Sequence, residues 1–463
     1  MKKFDVLVIG GGPGGTPAAL ALAAGGRRVL LVERGPGLGG TCLFEGCIPS
    51  KILHESARRL IAIRSASQFG VRIGDCQPVI DWAAIMARKT AILQHRSMAA
   101  IEQAKKIETL TVQFGVARLL GARSARVTPA SGDAFDVEFD KAIIATGSQP
   151  NRLALHGADL PRVITSDEVF DLRQLPQTLV VIGGGPVGVE MAQIFAALGS
   201  RVTLLHGGER ILAPVDAEIA QVLQDYMRRQ GIAVELGAKV SRICHSGDGA
   251  FVRYHDNLEV DREVYGEYIL EVVGRRANVD ELGLEKTGVR FDRNGIRVNG
   301  QLETDEPGIY AVGDVIGRPM FAHWASAQAQ ALAASLLGKP TRFPTPALNT
   351  AVIFSMPEIG IGGLTEVEAR AAGHDVGIAR HDLSTDARSQ IIGKAEGTLK
   401  LVYDRTTRVL LGVHMLADGA GASMGEVALA LGAGVSVDTL ALSIHPHPTL
   451  SESFGLAARG HMR

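Results

Sequence analysis

The sequence predicts an α/β protein with two Rossmann-like dinucleotide-binding domains. Three observations carry that expectation. A β-branched apolar run ending in glycines opens the chain, the same device returns near residue 180, and the 55 glycines cluster in short runs between apolar segments. Such clustering marks tight turns where backbone meets a ligand, not a flexible linker.

At 463 residues the chain exceeds one ordinary core and predicts two to four domains. Hydrophobic residues at 46% and charged residues at 21% describe a folded chain and argue against disorder. A net charge of -1 offers no basic surface, so no nucleic acid and no membrane partner is expected. The longest apolar stretches, such as "VALALGAGVSV", fall short of a membrane span, and "MKKFDVLVIGGG" reads as a buried strand, not a signal peptide. The four cysteines, Cys42, Cys47, Cys76 and Cys244, are too few for a disulfide-stapled secreted scaffold, and neither Cys76 nor Cys244 has a neighbouring partner in sequence. A cytoplasmic protein is expected.

Each dinucleotide unit follows one order. "FDVLVIGG" is a strand; Gly10, Gly12 and Gly15 form G-x-G-x-x-G; an Ala/Leu-rich helix runs to about residue 25; "RVLLVE" is the next strand. The second unit repeats it, with "TLVVIGG", then Gly183, Gly185 and Gly188, a helix through "EMAQIFAALG" and the strand "RVTLLH". The first glycine permits the turn, the second lets a pyrophosphate approach the backbone, and the third lets helix pack on strand. Free N–H groups at the helix start then face the phosphates. The second strand of each unit should end on a ribose reader. In the first unit it is Glu33; the same offset from Gly183 gives His206, followed by Gly207 and Gly208. With no cation at that spot a 2′-phosphate is poorly compensated, which favours NAD over NADP. Arg210, the closest cation, reads as a solvated surface residue.

"GGTCLFEGCIPSK", residues 39–51, places Cys42 and Cys47 five positions apart. On an ideal helix that spacing separates Cα atoms by roughly 8.6 Å, whereas a disulfide needs less than about 7 Å. A bridge therefore requires a distorted first turn, with Gly46 supplying the freedom. So small a loop adds little structural stability, and no C-x-x-C or H-x-x-x-H companion supplies further ligands, so no metal site is expected. A redox-active, reducible pair is the expectation.

The segment resembles the redox-active disulfide of the flavin-dependent pyridine nucleotide–disulfide oxidoreductases, closest to the dihydrolipoamide dehydrogenases among them. The resemblance runs nearly the whole chain, through "IATGSQP" at 144–150, "VVGRRAN" at 272–278, "TDEPGIYAVGDVIGRPMFAHWA" at 304–325 and "HPHPTLSE" at 445–452.

That resemblance implies an FAD-binding domain with the redox disulfide over 1–150, an NAD(P)-binding domain over 151–275, the second part of the FAD-binding region over 276–344, and an α+β dimerisation domain over 345–463. One tightly bound FAD per subunit would contact Gly10, Gly12, Gly15, Glu33, Gly40, Thr41, Lys51, Gly115, Thr146, Gly147, Asp314 and Ala322. NAD would contact Gly183, Gly185, Gly188, Glu190, His206 and Gly274. Lys51 would lie by the flavin with Glu190 as its ion-pair partner, because a buried lysine without one loses its charge. Pro186, where relatives often carry Ile or Tyr, fits a helix start but removes bulk that can gate the flavin face. His447 and Glu452 would be the acid–base pair, reaching the disulfide of the opposite subunit in a homodimer, while His445 stays outside that role. The implied reaction oxidises a dihydrolipoyl group on a lipoylated carrier protein or lipoyl domain. Cys42 would be the interchange thiol, Cys47 the thiolate nearer the flavin, and NAD+ the final acceptor. Ser50 argues against a glutathione reductase, where a lysine precedes Lys51. The tail "GLAARGHMR" has no cysteine pair, and no metal-binding domain precedes the first strand, which argues against a mercuric reductase. A plain transhydrogenase would not need the two cysteines. Alternatives are an NAD(P)H-dependent reductase of another small disulfide, or an assembly subunit with a vestigial flavin, which the complete set of Cys42, Cys47, Lys51, His447 and Glu452 disfavours.

Overall fold

A computed structural model describes residues 1–74 and 78–460. Cys76 lies outside the described residues. The first sheet is built on β1 (Lys2–Ile9), β2 (Val29–Glu33), β3 (Leu110–Gly121), β4 (Ser124–Pro129) and β5 (Phe135–Ile144), completed by a strand at Ile309–Ala311. β3, β2, β1, β5 and the 309–311 strand run parallel, while β4 pairs antiparallel with the outer halves of β3 and β5. Gly115 marks the residue where β3 passes from the parallel sheet to the antiparallel meander. Its φ is +150°, and a Cβ there would stand 2.2 Å from the Thr128 carbonyl oxygen, so only glycine fits. α1 (Gly15–Ala24) follows β1 directly.

Two further helices follow β2. α2 (Gly40–Phe44) is short, and α3 (Cys47–Ser65) starts after Gly46; α4 (Trp82–Lys105) comes next. After β6 (Ser148–Pro150), β7 (Val163–Thr165) and β8 (Thr178–Ile182) the chain enters α5 (Pro186–Leu198), then β9 (Arg201–His206) and β10 (Ala233–Leu236). β10, β9, β8, the strand Tyr268–Glu271 and β7 form an all-parallel sheet of five. Its central strand β8 is buried along its whole length, as a strand covered on both faces requires. The last sheet is antiparallel, in the order 350–353, 358–363, 410–417, 398–404, 376–382, with helices at Ala420–Ala433 and Glu452–Gly460 beside it. Among the described residues no helix is long and apolar enough to cross a membrane.

Polar contacts as well as apolar ones join these parts. Lys400, on the C-terminal sheet and nearly fully buried, places its Nζ 2.9 Å from Asp216, 3.2 Å from Glu218 and 3.0 Å from Glu366. Asp216 also caps the helix Ala217–Arg229 of the second unit, so the network fixes that unit against the C-terminal sheet. Hydrogen bonding from Arg380, aided by Lys400, holds the Glu218 carboxyl down at about 2. Lys400→Met would leave buried Asp216 without its cation, a loss of about 3–5 kcal/mol for a broken buried pair. A clear drop in the thermal unfolding midpoint is expected, and an unchanged midpoint would show that the cluster contributes no net stability.

Candidate active site

The redox segment differs from the expected single distorted helical turn. Cys42 lies inside α2, Cys47 is the first residue of α3, and the helix breaks between them at Glu45 and Gly46. Gly46 has φ −142° and ψ −103°, and a Cβ there would come within 3.1 Å of the Thr41 carbonyl oxygen. The break, not a bent turn, brings the two sulfurs together. They are free thiols in the structure and hydrogen-bond to each other.

The pair is electrostatically unequal. The hydrogen bond from Cys42, with help from the Lys51 charge, brings the Cys47 thiol down to about 7 against the opposing effect of burial. The same hydrogen bond and burial push Cys42 up. Cys47 is thus the thiolate and Cys42 its proton-bearing partner. Lys51, one turn along α3, sets its Nζ 2.8 Å from Glu190 on α5 and 4.4 Å from the centroid of Phe354. The second Glu190 oxygen accepts from the Phe354 backbone N–H at 2.8 Å.

These groups line a cavity of about 780 Å³, within the range of small-molecule and cofactor sites. Gly10, Gly12, Glu33, Gly40 and Thr41 line it beside the cysteines, and Gly115, Thr146, Gly147, Asp314 and Ala322 close the rest. Gly15 is absent from its lining because it packs on the turn: a Cβ there would lie 1.8 Å from the Gly10 carbonyl oxygen. At Gly12 an added Cβ would meet nothing closer than the Gly40 Cα at 3.8 Å, so the space over this glycine stays open for a ligand. Glu33 is buried and accepts from the Gly11 N–H and, at 2.5 Å, from the Gly35 N–H. Open glycine backbone, a strand-end carboxylate and a buried acid are the donor and acceptor set a dinucleotide needs.

The second unit repeats the device outside this cavity. Gly183 has φ +124°, and an added Cβ would stand 2.3 Å from the Val272 carbonyl oxygen; one added at Gly188 would stand 1.8 Å from the Gly183 carbonyl oxygen. Nothing lies within 4 Å of a Cβ on Gly185. Gly274, φ +104°, accepts from the Asn151 N–H at 2.9 Å. His206 accepts from the Gly184 N–H at 3.1 Å. Arg210 departs from the expected solvated residue: its guanidinium donates to the carbonyl oxygens of Leu212, Ala213 and Val215 at 3.1, 2.6 and 3.1 Å. Pro186 opens α5 and, with Val187 and Glu190, forms the wall shared by the cavity and the second unit.

His447 and Glu452 pair, Nδ1 to the two carboxylate oxygens at 3.0 and 3.1 Å, and the Thr449 N–H holds the same carboxylate at 2.9 Å. Backbone donation from Thr449, then His447, keeps the Glu452 carboxyl below its ordinary range. The structure does not bring this pair to the cysteines of its own chain; His447 is 72% exposed and outside the cavity lining. His445 forms its own pair, 2.9 Å from Glu426.

Residue patterns also missed a network under the Asp314 carboxylate. Ser148 Oγ donates to Asp314 at 2.7 Å, and Arg275 donates to Ser148 Oγ and to Asp167, each at 2.9 Å. Burial raises the Asp314 carboxyl, which Ser148 and Arg275 offset. Ser148 and Arg275 both stand in the motifs at 144–150 and 272–278, yet only the fold shows them touching. Glu45, between the cysteines, faces the cavity with its carboxyl raised by burial and by Asp167.

Two thiols at a helix break, an adjoining lysine–glutamate pair and paired dinucleotide devices define a disulfide oxidoreductase. The chain belongs to the pyridine nucleotide–disulphide oxidoreductase family, whose model matches residues 4–329, with the family's dimerisation domain matching 350–458. It is an FAD-dependent oxidoreductase using NAD. It is 37% identical over 473 residues to the dihydrolipoyl dehydrogenase of Thermus scotoductus, covering 99% of this chain and 97% of that one. The enzyme of the same name from Chlorobaculum tepidum is 34% identical over 456 residues, covering 98% and 96%. Among solved structures, a Cu(II) complex of the HOCl-induced flavoprotein disulfide reductase RclA of Escherichia coli superposes with TM-score 0.88 at 27% identity over 100% of both chains.

Lys51→Met removes the positive charge that favours the Cys47 thiolate. The midpoint for alkylation of the reduced protein is expected to rise above about 7. Glu190→Gln removes a charge that opposes the thiolate and is expected to lower it. Midpoints that do not move would take Lys51 out of the site's electrostatics.

Proposed function

We propose that the protein oxidises dihydrolipoyl groups on a lipoylated carrier protein or lipoyl domain, working as a homodimer in the cytoplasm. The observation that supports this reading best is the unequal thiol pair over the cavity, with Cys47 at about 7 and Cys42 raised. Gly10, Gly12, Glu33, Thr41 and Asp314 would hold FAD, and Gly183, Gly185 and Gly188 would hold NAD. When bound, FAD accepts an electron pair and NAD+ carries it away as hydride.

The protein's own part is thiol–disulfide exchange. A substrate thiolate, deprotonated at the His447 imidazole of the partner subunit, attacks Cys42 Sγ of the oxidised pair. The Cys42–Cys47 bond breaks, a mixed disulfide forms on Cys42, and Cys47 leaves as the thiolate, being the weaker base. The second substrate thiol then displaces Cys42 and its proton passes to the Cys42 sulfur, which leaves both cysteines reduced and an oxidised lipoyl ring. Glu452 orients His447 through Nδ1 and supports its imidazolium, leaving Nε2 to take the proton. The Lys51–Glu190 pair keeps a positive charge beside the Cys47 thiolate.

A second reading runs the exchange backwards, as NAD(P)H-driven reduction of another small disulfide. The full-length likeness to the Escherichia coli disulfide reductase favours it. Turnover with dihydrolipoamide and NAD+, compared with NADH-driven reduction of other disulfides, separates the two.

Cys47→Ser is expected to abolish lipoamide turnover, and retained turnover would refute the assignment. His447→Gln should lower kcat/KM by about 10²–10⁴-fold, the worth of a general base. A drop of that size confined to acidic pH, with full activity at high pH, would show that the substrate thiol needs no base.

A further inference from the structure

The two dinucleotide units end their second strands in matched settings that differ in one chemical respect. Glu33 and His206 each accept from a backbone N–H 22 positions earlier, Gly11 and Gly184 respectively. Each side chain is wedged between that glycine and another two residues on. A Cβ at Gly11 or Gly35 would come within 2.9 or 3.0 Å of the Glu33 carboxylate. One at Gly184 or Gly208 would come within 2.7 or 2.8 Å of the His206 ring. The strand-end residue therefore holds the glycine turn closed in both units.

A carboxylate can do that and still read a sugar, because its two oxygens offer about four acceptor positions. An imidazole cannot. With Nδ1 accepting from Gly184, the ring's own proton sits on Nε2, and a hydrogen bond with the Arg210 backbone opposes the effect of burial on the ring. No acceptor is left for ribose hydroxyls. The packed glycines also prevent the ring from swinging towards one. Burial keeps the ring neutral, so it neither repels nor attracts a 2′-phosphate. Arg210 is committed to three carbonyl oxygens within its own loop. The features that separate NAD from NADP are a strand-end acid or a free arginine, and this strand end provides neither, so the missing cation that favours NAD in the sequence is matched by the missing acid that would repel a 2′-phosphate.

We infer that His206 makes the second unit indifferent to the 2′-position of the adenosine ribose, so that the enzyme takes NADP(H) as well as NAD(H). The inference rests on the reading that the second unit holds the nicotinamide nucleotide. His206 is then a positioning residue for the glycine turn, and its uncharged, fully engaged ring sets cofactor breadth.

Calorimetric titration of the FAD-loaded dimer with ADP-ribose and with 2′-phospho-ADP-ribose reads this directly, without catalysis. The wild type is expected to bind both with dissociation constants within about fivefold, less than one charge-assisted hydrogen bond contributes. His206→Glu restores the geometry that Glu33 already shows to be compatible with the fold. It is expected to tighten ADP-ribose and weaken the phosphorylated fragment, moving their ratio by more than about tenfold. His206→Gln, neutral and able to accept from Gly184, is expected to leave the ratio near the wild-type value. Wild-type discrimination above about thirtyfold in either direction, or a His206→Glu ratio equal to wild type, would overturn the inference. Gly185→Val tests the reading beneath it. A valine there meets no protein atom within 4 Å of its Cβ, so it should keep flavin and fold while losing both fragments. Unchanged binding of both fragments to Gly185→Val would place them outside the second unit and overturn that reading, whatever the ratio.

Discussion

Glu190 is where three parts of the chain meet. One carboxylate oxygen takes the Lys51 ammonium from α3 at 2.8 Å, and the other takes the Phe354 N–H at 2.8 Å from the segment leading into the C-terminal sheet. Three residues on, Gln193 repeats the link by exchanging hydrogen bonds with the Met356 backbone at 2.7 and 2.9 Å. The Glu190 side chain is 9% exposed, and both of its oxygens are engaged by these donors. The pair thus ties the helix that begins with Cys47 to the helix that begins at the second glycine motif. Both helix starts line the same cavity, and the ion pair bridges them above the apolar packing of Leu53 and Ala57 with Met191 and Phe195.

That constraint gives the thiols their direction. A symmetric pair would expose either sulfur equally to attack. Here the helix break at Gly46 puts Cys47 at the start of α3, one turn from Lys51, and leaves Cys42 outside that helix. Negative charge is favoured on Cys47, where the Cys42 hydrogen bond and then the lysine stabilise it. Cys42 is then the sulfur from which an exchange partner must displace it. The His447–Glu452 pair is complete in itself but stands outside the lining of the cavity that holds the thiols of its own chain, in the region matched by the dimerisation domain. In the proposed exchange each subunit would carry half of two sites, and the reaction would require the homodimer.

Much of the fold was legible in the sequence because its constraints are local. Gly10, Gly183 and Gly188 sit where any Cβ would collide with backbone, so the motif and the geometry are the same statement. The strand-end positions Glu33 and His206 were found by offset alone, and both do face their glycine turns. Loop shape and long-range contacts were not legible. Arg210 looked like a free cation because its three carbonyl partners lie in a loop whose shape no local pattern encodes. The Ser148–Asp314–Arg275 network joins residues more than a hundred positions apart, and the Lys400 cluster joins units with no shared motif. The cysteine spacing pointed to strain in one helix, whereas the chain ends α2 and starts α3 anew between them.

The most direct test of a thiolate on Cys47 is the absorption spectrum of the anaerobic, two-electron-reduced holoenzyme as pH is varied. A long-wavelength charge-transfer band, present at neutral and alkaline pH, should fade as pH falls below about 7 and the thiolate takes up its proton. It should be missing from Cys47→Ser and retained in Cys42→Ser. A wild-type spectrum without the band at any pH, or a band that persists in Cys47→Ser, would contradict the account.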